Sequence, residues 1–301
     1  MHPLVVENLT KTYGDFKAVD SISFNLAEGE ILGFLGPNGA GKTTTLQMLI
    51  GSLKPTDGNI LYFGKSLFTN REEILERINY STAYTSLPWN LSVEENLTFI
   101  SHLYSIKNRK KQLEKIVETF KLSTLMKRRV EGLSAGQKTR VNLAKAFINS
   151  PKVLLLDEPT ASLDPDIAKY IRDFILDQRK EDKVSVIFTS HNMNEVEEIC
   201  DRVIFINGGK IIANDTPMQL AKKIDAVEIE LLPQDLVATS EFCKKNNISF
   251  TNEKRHIKIA TIEKNIVKIL RMLSENNIEY DEISINKPTL EDYFLKVSLN
   301  K

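Results

Sequence analysis

The 301-residue sequence has little of what marks several common protein classes. Its two cysteines, Cys200 and Cys243, and four histidines exclude a disulfide framework and argue against a structural zinc site. Lys and Arg number 40, as do Asp and Glu, so there is no basic excess of the kind that nucleic-acid-binding proteins show. A membrane span needs about 20 apolar residues, whereas the longest aliphatic run is Val153–Leu156. Early charged residues such as Glu7 predict no signal peptide. We therefore expect a soluble protein of a reducing compartment with no nucleic-acid partner.

Hydrophobic patterning predicts an α/β domain over residues 1–220. Apolar runs that end in glycine or polar residues predict buried strands at Ile31–Leu35, Val153–Asp157 and Val184–Thr189. A helical pattern follows the first of these runs, over about Lys42–Leu49. Parallel strands joined by helical crossovers are typical of α/β domains. A helical subdomain at about 90–150 interrupts the pattern and opens with a capping box at Ser92.

The C-terminal part, residues 225–301, predicts a small α+β accessory domain. Its elements follow the βαββαβ order of ferredoxin-like domains, with one further helix. The predicted elements are strand Val227–Leu232, helix Gln234–Asn246, strands Ile248–Thr251 and His256–Thr261, helix Lys264–Glu275, strand Ile278–Ile285 and helix Leu290–Val297. The last helix has an apolar stripe that must bury against its own sheet or against a dimer mate.

A glycine-rich segment between the first buried strand and its helix predicts a nucleoside triphosphate site. The segment fits G-x-x-x-x-G-K-[ST], in which successive backbone N–H groups and a helix N-terminus face phosphate oxygens. We expect Lys42 to reach the β- and γ-phosphates and the Thr43 hydroxyl to bind Mg²⁺. The candidate phosphate-binding residues are Gly36, Pro37, Asn38, Gly39, Ala40, Gly41, Lys42, Thr43 and Thr44.

A pair of acids supplies the second half of this site. Asp157 ends the buried strand Val153–Asp157 and can hold Mg²⁺ through its water shell. Glu158 follows it and is placed to polarise an attacking water. A strand that ends in two solvated acids would look the same in isolation, but the preceding phosphate motif favours a catalytic pair.

Together with these motifs, Leu133–Gln137 (LSAGQ) resembles the LSGGQ signature of ATP-binding cassette (ABC) ATPases. The resemblance covers residues 3–218. It matches Tyr13 to the aromatic residue that stacks on adenine, Ser162-Leu163-Asp164 to the D-loop, and His191 to the switch histidine. It extends the candidate nucleotide-binding residues to Tyr13, Val19, Ser134, Ala135, Gly136, Gln137 and Asp164.

The resemblance implies a P-loop ATPase that acts as a head-to-tail dimer. ATP would lie between the phosphate loop of one cassette and Ser134–Gln137 of a second cassette, which is a copy of this chain or a different chain. The catalytic residues would be Lys42, Glu158 and His191, and the cofactors ATP and Mg²⁺. A separate integral membrane permease would be the partner, which places the chain in the cytoplasm, peripheral on the inner face of the cell membrane. The ending Pro288–Lys296 resembles that of exporter cassettes and favours export.

One position departs from the family pattern. Alignment places Ala83 where ABC ATPases carry a glutamine that senses Mg²⁺ and touches the membrane partner. Losing a hydrogen bond to a charged group costs about 1.5–3 kcal/mol. We therefore predict slow rather than absent ATP turnover.

Two alternatives remain open at this stage. The chain could be a soluble ABC ATPase not coupled to transport, or a module that uses ATP as a regulatory ligand with little hydrolysis. Soluble translation factors of the family carry two cassettes, whereas this chain has one phosphate loop. The presence of Lys42, Asp157, Glu158 and His191 argues for hydrolysis.

Overall fold

The computed structural model describes residues 2–82, 87–161, 163–225 and 227–299. The chain divides into two compact units, residues 1–217 (the N-terminal unit) and 218–301 (the C-terminal unit). In the described parts of both units, no helix combines the length and apolar character that a bilayer crossing requires.

The N-terminal unit alternates strands and helices along most of its length. The strands are β1 (Leu4–Tyr13), β2 (Phe16–Leu26), β3 (Ile31–Leu35), β4 (Asp57–Tyr62), β5 (Lys65–Ser66), β6 (Ile78–Thr82), β7 (Val153–Asp157), β8 (Ser185–Thr189), β9 (Arg202–Asn207) and β10 (Lys210–Asp215). The helices are α1 (Lys42–Leu49), α2 (Arg71–Leu75), α3 (Val93–Ser101), α4 (Arg109–Thr119), α5 (Ala135–Ala146), α6 (Pro165–Asp182), α7 (Met193–Ile199) and, where the two units join, α8 (Pro217–Ala221).

A six-stranded sheet carries the predicted site at the carboxyl ends of its parallel strands, which form one edge of the sheet. Its strand order is β10-β9-β3-β8-β7-β6, and every neighbouring pair except β9 and β10 is parallel. β3 and β8 are buried along their whole length, as expected for parallel strands covered on both faces. Because the strands are parallel, their carboxyl ends lie together, which brings the segments after Leu35, Asp157 and Thr189 to one edge.

A second, antiparallel sheet has the order β2-β1-β4-β5. Its apolar face and the six-stranded sheet share one hydrophobic core, in which Phe24 of β2 lies 5.7 Å from Phe34 of β3 between ring centroids. The fully buried Tyr62 donates its hydroxyl hydrogen to the Leu49 carbonyl oxygen at the end of α1. This core fixes the strand and the helix that flank the glycine-rich segment.

The helical subdomain contains α3, α4 and α5. Both α3 and α5 begin with reciprocal capping boxes, Ser92 with Glu95 and Ser134 with Gln137. At the other end of α5, Phe147 packs against Phe120 and against Phe174 of α6, with ring centroids 5.9 and 4.9 Å apart. The start of α5 is therefore a defined helix N-terminus, and its end is anchored by aromatic packing.

The C-terminal unit has the predicted ferredoxin-like order. It contains β11 (Val227–Pro233), α9 (Leu236–Lys245), β12 (Phe250–Glu253), β13 (His256–Thr261), α10 (Ile266–Glu275), β14 (Tyr280–Asn286) and α11 (Leu290–Leu299). The antiparallel sheet has the order β12-β13-β11-β14. Alternate residues of β11 and β13 pack against Phe242 and Leu273 of the two helices. In α11, Leu290 and Tyr293 are buried.

Candidate nucleotide site

The glycine-rich segment connects β3 to α1 through positions that only glycine fits. A Cβ atom on Gly36 would lie 2.1 Å from the Ile206 carbonyl oxygen, and one on Gly41 would lie 2.4 Å from the Ala18 carbonyl oxygen. Gly41 also has a φ of 106°, which side chains rarely adopt, at the N-cap of α1. The loop therefore packs against β9 at Gly36 and against β2 at Gly41.

The interior of this loop suits a phosphate chain. A Cβ atom on Gly39 would meet no heavy atom within 4 Å, so the backbone there borders open space. Lys42 extends back along the loop, and its Nζ donates to the carbonyl oxygens of Gly36 and, at 3.1 Å, Pro37. Burial lowers the pKa of Lys42, whereas the nearby charges of Glu158 and Asp157 oppose that shift. A cation beside unobstructed backbone at a helix N-terminus is the donor set that phosphates require.

Asp157 is oriented by two hydroxyl groups at the end of β7. The Thr189 hydroxyl donates to Asp157 Oδ1 at 2.7 Å, and the Tyr80 hydroxyl donates to Oδ2 at 3.3 Å. Burial and the Asp157 charge raise the pKa of Tyr80 to about 12, so Tyr80 remains a neutral donor. Thr43, the other candidate Mg²⁺ ligand, is exposed in the first turn of α1. One oriented carboxylate and one exposed hydroxyl fit Mg²⁺, which takes few protein ligands and keeps phosphate oxygens and waters.

Glu158 is held in an unusual backbone conformation next to His191. Its φ is +54°, which non-glycine residues rarely adopt. Its backbone N–H donates to the Thr189 hydroxyl oxygen at 3.0 Å. Glu158 Oε1 lies 2.9 Å from His191 Nε2. Burial raises the pKa of Glu158, and His191 partly offsets that effect. Nine other described non-glycine residues share a positive φ, so the contact with His191, and not the backbone conformation alone, singles out Glu158.

The two predicted adenine-side residues occupy different environments. Tyr13 lies at the end of β1 with half of its side-chain surface exposed, and Lys11 Nζ is 5.3 Å from its ring centroid. Val19 is fully buried, and its Cγ2 would lie 3.4 Å from a Cβ atom on Gly41. Val19 therefore supports the phosphate loop, whereas Tyr13 offers an accessible ring.

The signature residues form a separate surface. Gln137 N donates to Ser134 Oγ at 3.3 Å, and Ser134 N donates to Gln137 Oε1 at 3.0 Å. Ser134 and Ala135 are exposed, while Gly136 is buried, where a Cβ atom would lie 2.6 Å from Ile167 Cδ1 of α6. Within the described residues, no hydrogen bond or ion pair joins this segment to the phosphate loop. The exposed helix N-terminus is open to a second molecule.

Two predicted positions cannot be placed in this way. Ala83, at the glutamine position, and Ser162, in the D-loop motif, lie outside the described residues. Asp164 is described: it is exposed and occupies the N-cap position of α6, ahead of Pro165.

The groups that orient the acidic pair were not predicted from the sequence. Thr189 is the clearest example, since it closes β8 in register with Asp157 at the end of β7. The signal was available, because adjacent parallel strands bring their terminal residues together. A second group of polar residues lies behind Glu158 and His191 and had no comparable signal in the sequence. Its members are Thr160, Arg172, Ser190 and Glu195.

Comparison with known proteins identifies the family. The family model described as ABC transporter matches residues 19–161. The bacitracin transport ATP-binding protein BcrA of Bacillus licheniformis is 34% identical, covering 96% of this chain and 95% of that protein. This chain belongs to the ATP-binding proteins of ABC transporters. The linearmycin resistance ATP-binding protein LnrL of Bacillus subtilis is 32% identical, with 98% of each chain covered.

Solved structures agree with the fold of this ABC cassette. CbiO1 of Clostridium perfringens, part of the ABC transporter complex CbiONQ, superposes with a TM-score of 0.65 at 27% identity, covering 81% of this cassette and 99% of that chain. An ATP-binding cassette of an ABC transporter in its ADP conformation gives 0.65 at 27% identity, over 73% of this cassette and 92% of that chain. The cassette is the ATP-binding and ATP-hydrolysing subunit of an ABC transporter, and nothing favours a transport-independent ATPase or a non-hydrolysing module.

Proposed function

We propose that this cassette powers the export of a toxic or antibiotic compound through a separate membrane permease. The observation that carries this proposal is near full-length similarity to BcrA and LnrL, whose names assign them to bacitracin transport and linearmycin resistance. Because the aligned region extends over almost the whole chain, the C-terminal unit is shared as well. The proposal places the chain in the cytoplasm, on the inner face of the cell membrane.

Within the site, we assign roles from the contacts of each residue. Lys42 neutralises charge on the β- and γ-phosphates, and Tyr13 stacks on adenine. Thr43 and Asp157 hold Mg²⁺, which when bound adds further charge neutralisation to the ATP phosphates. Glu158 orients the attacking water and accepts its proton. Burial raises the pKa of Glu158, which makes its carboxylate a stronger base. His191, within 2.9 Å of Glu158, contacts the γ-phosphate side of the same site.

We further propose that two cassettes close head to tail over ATP. Support comes from the exposed Ser134 and Ala135 at the start of α5 and from the exposed Asp164 at the start of α6. An exposed helix N-terminus binds anions, so the signature of one cassette can complete the phosphate site of the other.

The permease contact is assigned to an apolar surface of the helical subdomain. Trp89, Phe99 and Leu103 expose 66%, 59% and 64% of their surface, whereas the adjacent Leu87 is buried. Large exposed apolar side chains grouped in one subdomain mark protein interfaces more often than isolated ones do.

The test is isolation of the tagged chain from its native membranes in mild detergent, followed by mass spectrometry. A polytopic membrane protein at near-equal stoichiometry supports the proposal. Trp89→Ser combined with Phe99→Ser should abolish its recovery, while Val237→Ser, a control that is 68% exposed in the C-terminal unit, should not. Recovery of ribosomes or DNA-repair proteins with no permease would refute the transport role.

A further inference from the structure

A buried carboxylate lies behind the segments that follow β7 and β8. Glu195, on α7, has only 6% of its surface exposed. Its Oε2 accepts hydrogen bonds from the Thr160 hydroxyl at 2.6 Å and the Ser190 hydroxyl at 3.0 Å. Its Oε1 accepts from Arg172 Nη1 at 3.0 Å. A buried charge is tolerated only when it is paired and hydrogen-bonded in this way.

The hydroxyl partners belong to the two segments that carry the reacting groups. Thr160 follows Glu158 closely in the segment after β7, and Ser190 directly precedes His191 in the segment after β8. Glu195 therefore bridges these two segments with one oxygen atom. The same cluster borders the cleft that Glu158 and His191 line.

The third partner connects this bridge to α6. Arg172, on α6, is mostly buried and contacts Glu195 on one side and, through Nε at 2.9 Å, the half-exposed Glu198 on the other. The same helix begins at Asp164, and Ile167 packs against Gly136 of the signature. One helix thus contacts both the signature and the carboxylate behind the acidic pair.

We propose that Glu195 is a positioning residue for ATP hydrolysis. By accepting both hydroxyl hydrogens, it fixes the segments after β7 and β8 relative to each other and to α6. The 2.9 Å approach of Glu158 to His191 is thereby maintained through the reaction. The inference rests on the proposed roles of Glu158 and His191. It assigns Glu195, Thr160 and Ser190 no contact with substrate.

The decisive variants alter one hydroxyl donor and leave the buried ion pair intact. Thr160→Val keeps the side-chain volume but removes the donor, whereas Thr160→Ser keeps the donor but removes a methyl group. If positioning depends on the hydrogen bond, Thr160→Val lowers kcat about tenfold, the scale of a hydrogen bond to a charged group. Thr160→Ser then retains wild-type kcat. If the site is only packing, Thr160→Ser is the impaired variant and Thr160→Val is not.

Steady-state kinetics of the full chain, with the melting temperature measured in parallel, separate positioning from folding. For Thr160→Val and Glu195→Gln we expect a lower kcat with KM for ATP within about twofold of wild type, since the proposal gives neither residue a contact with nucleotide. Glu198→Gln, which changes the outer partner of Arg172, is the matched control and keeps wild-type kcat.

Two outcomes would overturn the inference. One is unchanged kcat in both Thr160→Val and Glu195→Gln, and the other is a loss that follows the melting temperature alone. Glu158→Gln is measured alongside them. If Glu158→Gln keeps full activity, the proposed role of Glu158 has failed; if it is inactive while the other two are normal, only the role of Glu195 has failed.

Discussion

The two units of this chain use their polar residues differently. In the N-terminal unit, Thr160, Thr189, Ser190 and Glu195 are buried around the carboxyl ends of β7 and β8. In the described part of the C-terminal unit, Thr239 is the only buried polar side chain. The charged pairs of the C-terminal unit, such as Lys287 with Glu263, lie on its surface.

This difference agrees with the proposal that ATP is hydrolysed in the N-terminal unit. Exposed ion pairs contribute little to stability and place no constraint on chemistry. Buried polar networks are costly unless every member is satisfied, and they are retained where geometry matters. The buried network at the carboxyl ends of β7 and β8 supports the proposed catalytic role of the N-terminal unit. The C-terminal unit has an ordinary apolar core under two helices.

The largest effect is expected at Glu158. Glu158→Gln removes the proposed base and should lower kcat by about 10²–10⁴-fold. A paired measurement on Glu253→Gln, which breaks an exposed ion pair with Lys258 in the C-terminal unit, should show no change. Steady-state phosphate release checks both. An equal loss of kcat in the two variants would contradict the proposed difference between the two units.

The same substitution should also increase stability at neutral pH. Because burial raises the pKa of Glu158, the folded state keeps its proton at pH values at which the unfolded chain has lost it. Ionisation of Glu158 therefore lowers stability as pH rises through this window. We expect Glu158→Gln to raise the melting temperature at pH values above the window and to leave it unchanged at pH values below the ordinary pKa of a glutamate. A melting temperature that falls at neutral pH would contradict this reasoning.

A gain of activity is expected at Ala83. Ala83→Gln restores the hydrogen-bonding group that the family carries, and a bond made only in the transition state is worth about tenfold to a hundredfold in rate. The Mg²⁺-dependent ATPase rate of the assembled complex is the measurement, and Ala83→Leu, which adds bulk without an amide, is the control. An unchanged rate in Ala83→Gln would show that the missing glutamine does not limit turnover.

A moderate effect on affinity is expected at Tyr13. Stacking of a base on an aromatic ring contributes about 1–3 kcal/mol, so Tyr13→Ala should weaken ATP binding by about tenfold. Tyr13→Phe keeps the ring and should bind as wild type does. Equilibrium titration with a fluorescent ATP analogue distinguishes them. If both variants bind alike, the half-exposed ring does not contact adenine.

The smallest effect on turnover is expected from the core of the C-terminal unit. Ile259 is fully buried there, and Ile259→Ala should destabilise the unit by about 2–5 kcal/mol. The ATPase rate should remain unchanged, because no residue of the candidate site lies in that unit. Thermal unfolding together with steady-state kinetics checks this pair of outcomes. A loss of activity at temperatures where the C-terminal unit remains folded would show that it acts on the reaction.

Much of the phosphate site was predictable from the sequence, for a physical reason. Ile31–Leu35, Lys42–Leu49 and Val153–Asp157 were predicted with the bounds that the structure has, because buried strands and a glycine loop leave strong local signals. β1 was not predicted. Its polar residues and the register shifts along its pairing with β2 interrupt the alternation of apolar and polar residues that is typical of a strand.

The hydrogen-bonded network around Glu195 was not predictable from the local sequence pattern. Glu195 lies in a short helix rich in acids, where its neighbours in sequence suggest a solvated face. Its partners Thr160 and Arg172 come from distant segments that meet only once the strands are paired. Pairings of this kind follow from topology.

The most direct test of the account is hydrogen exchange of the complex isolated from native membranes, carrying Glu158→Gln, with and without saturating MgATP. We predict slower amide exchange in the phosphate loop, residues 36–44, and in the signature, residues 134–137, with β11 to β14 unchanged. This result would place ATP between a phosphate loop and a signature, in the N-terminal unit alone. Signature amides that exchange at the same rate with and without ATP would contradict the account.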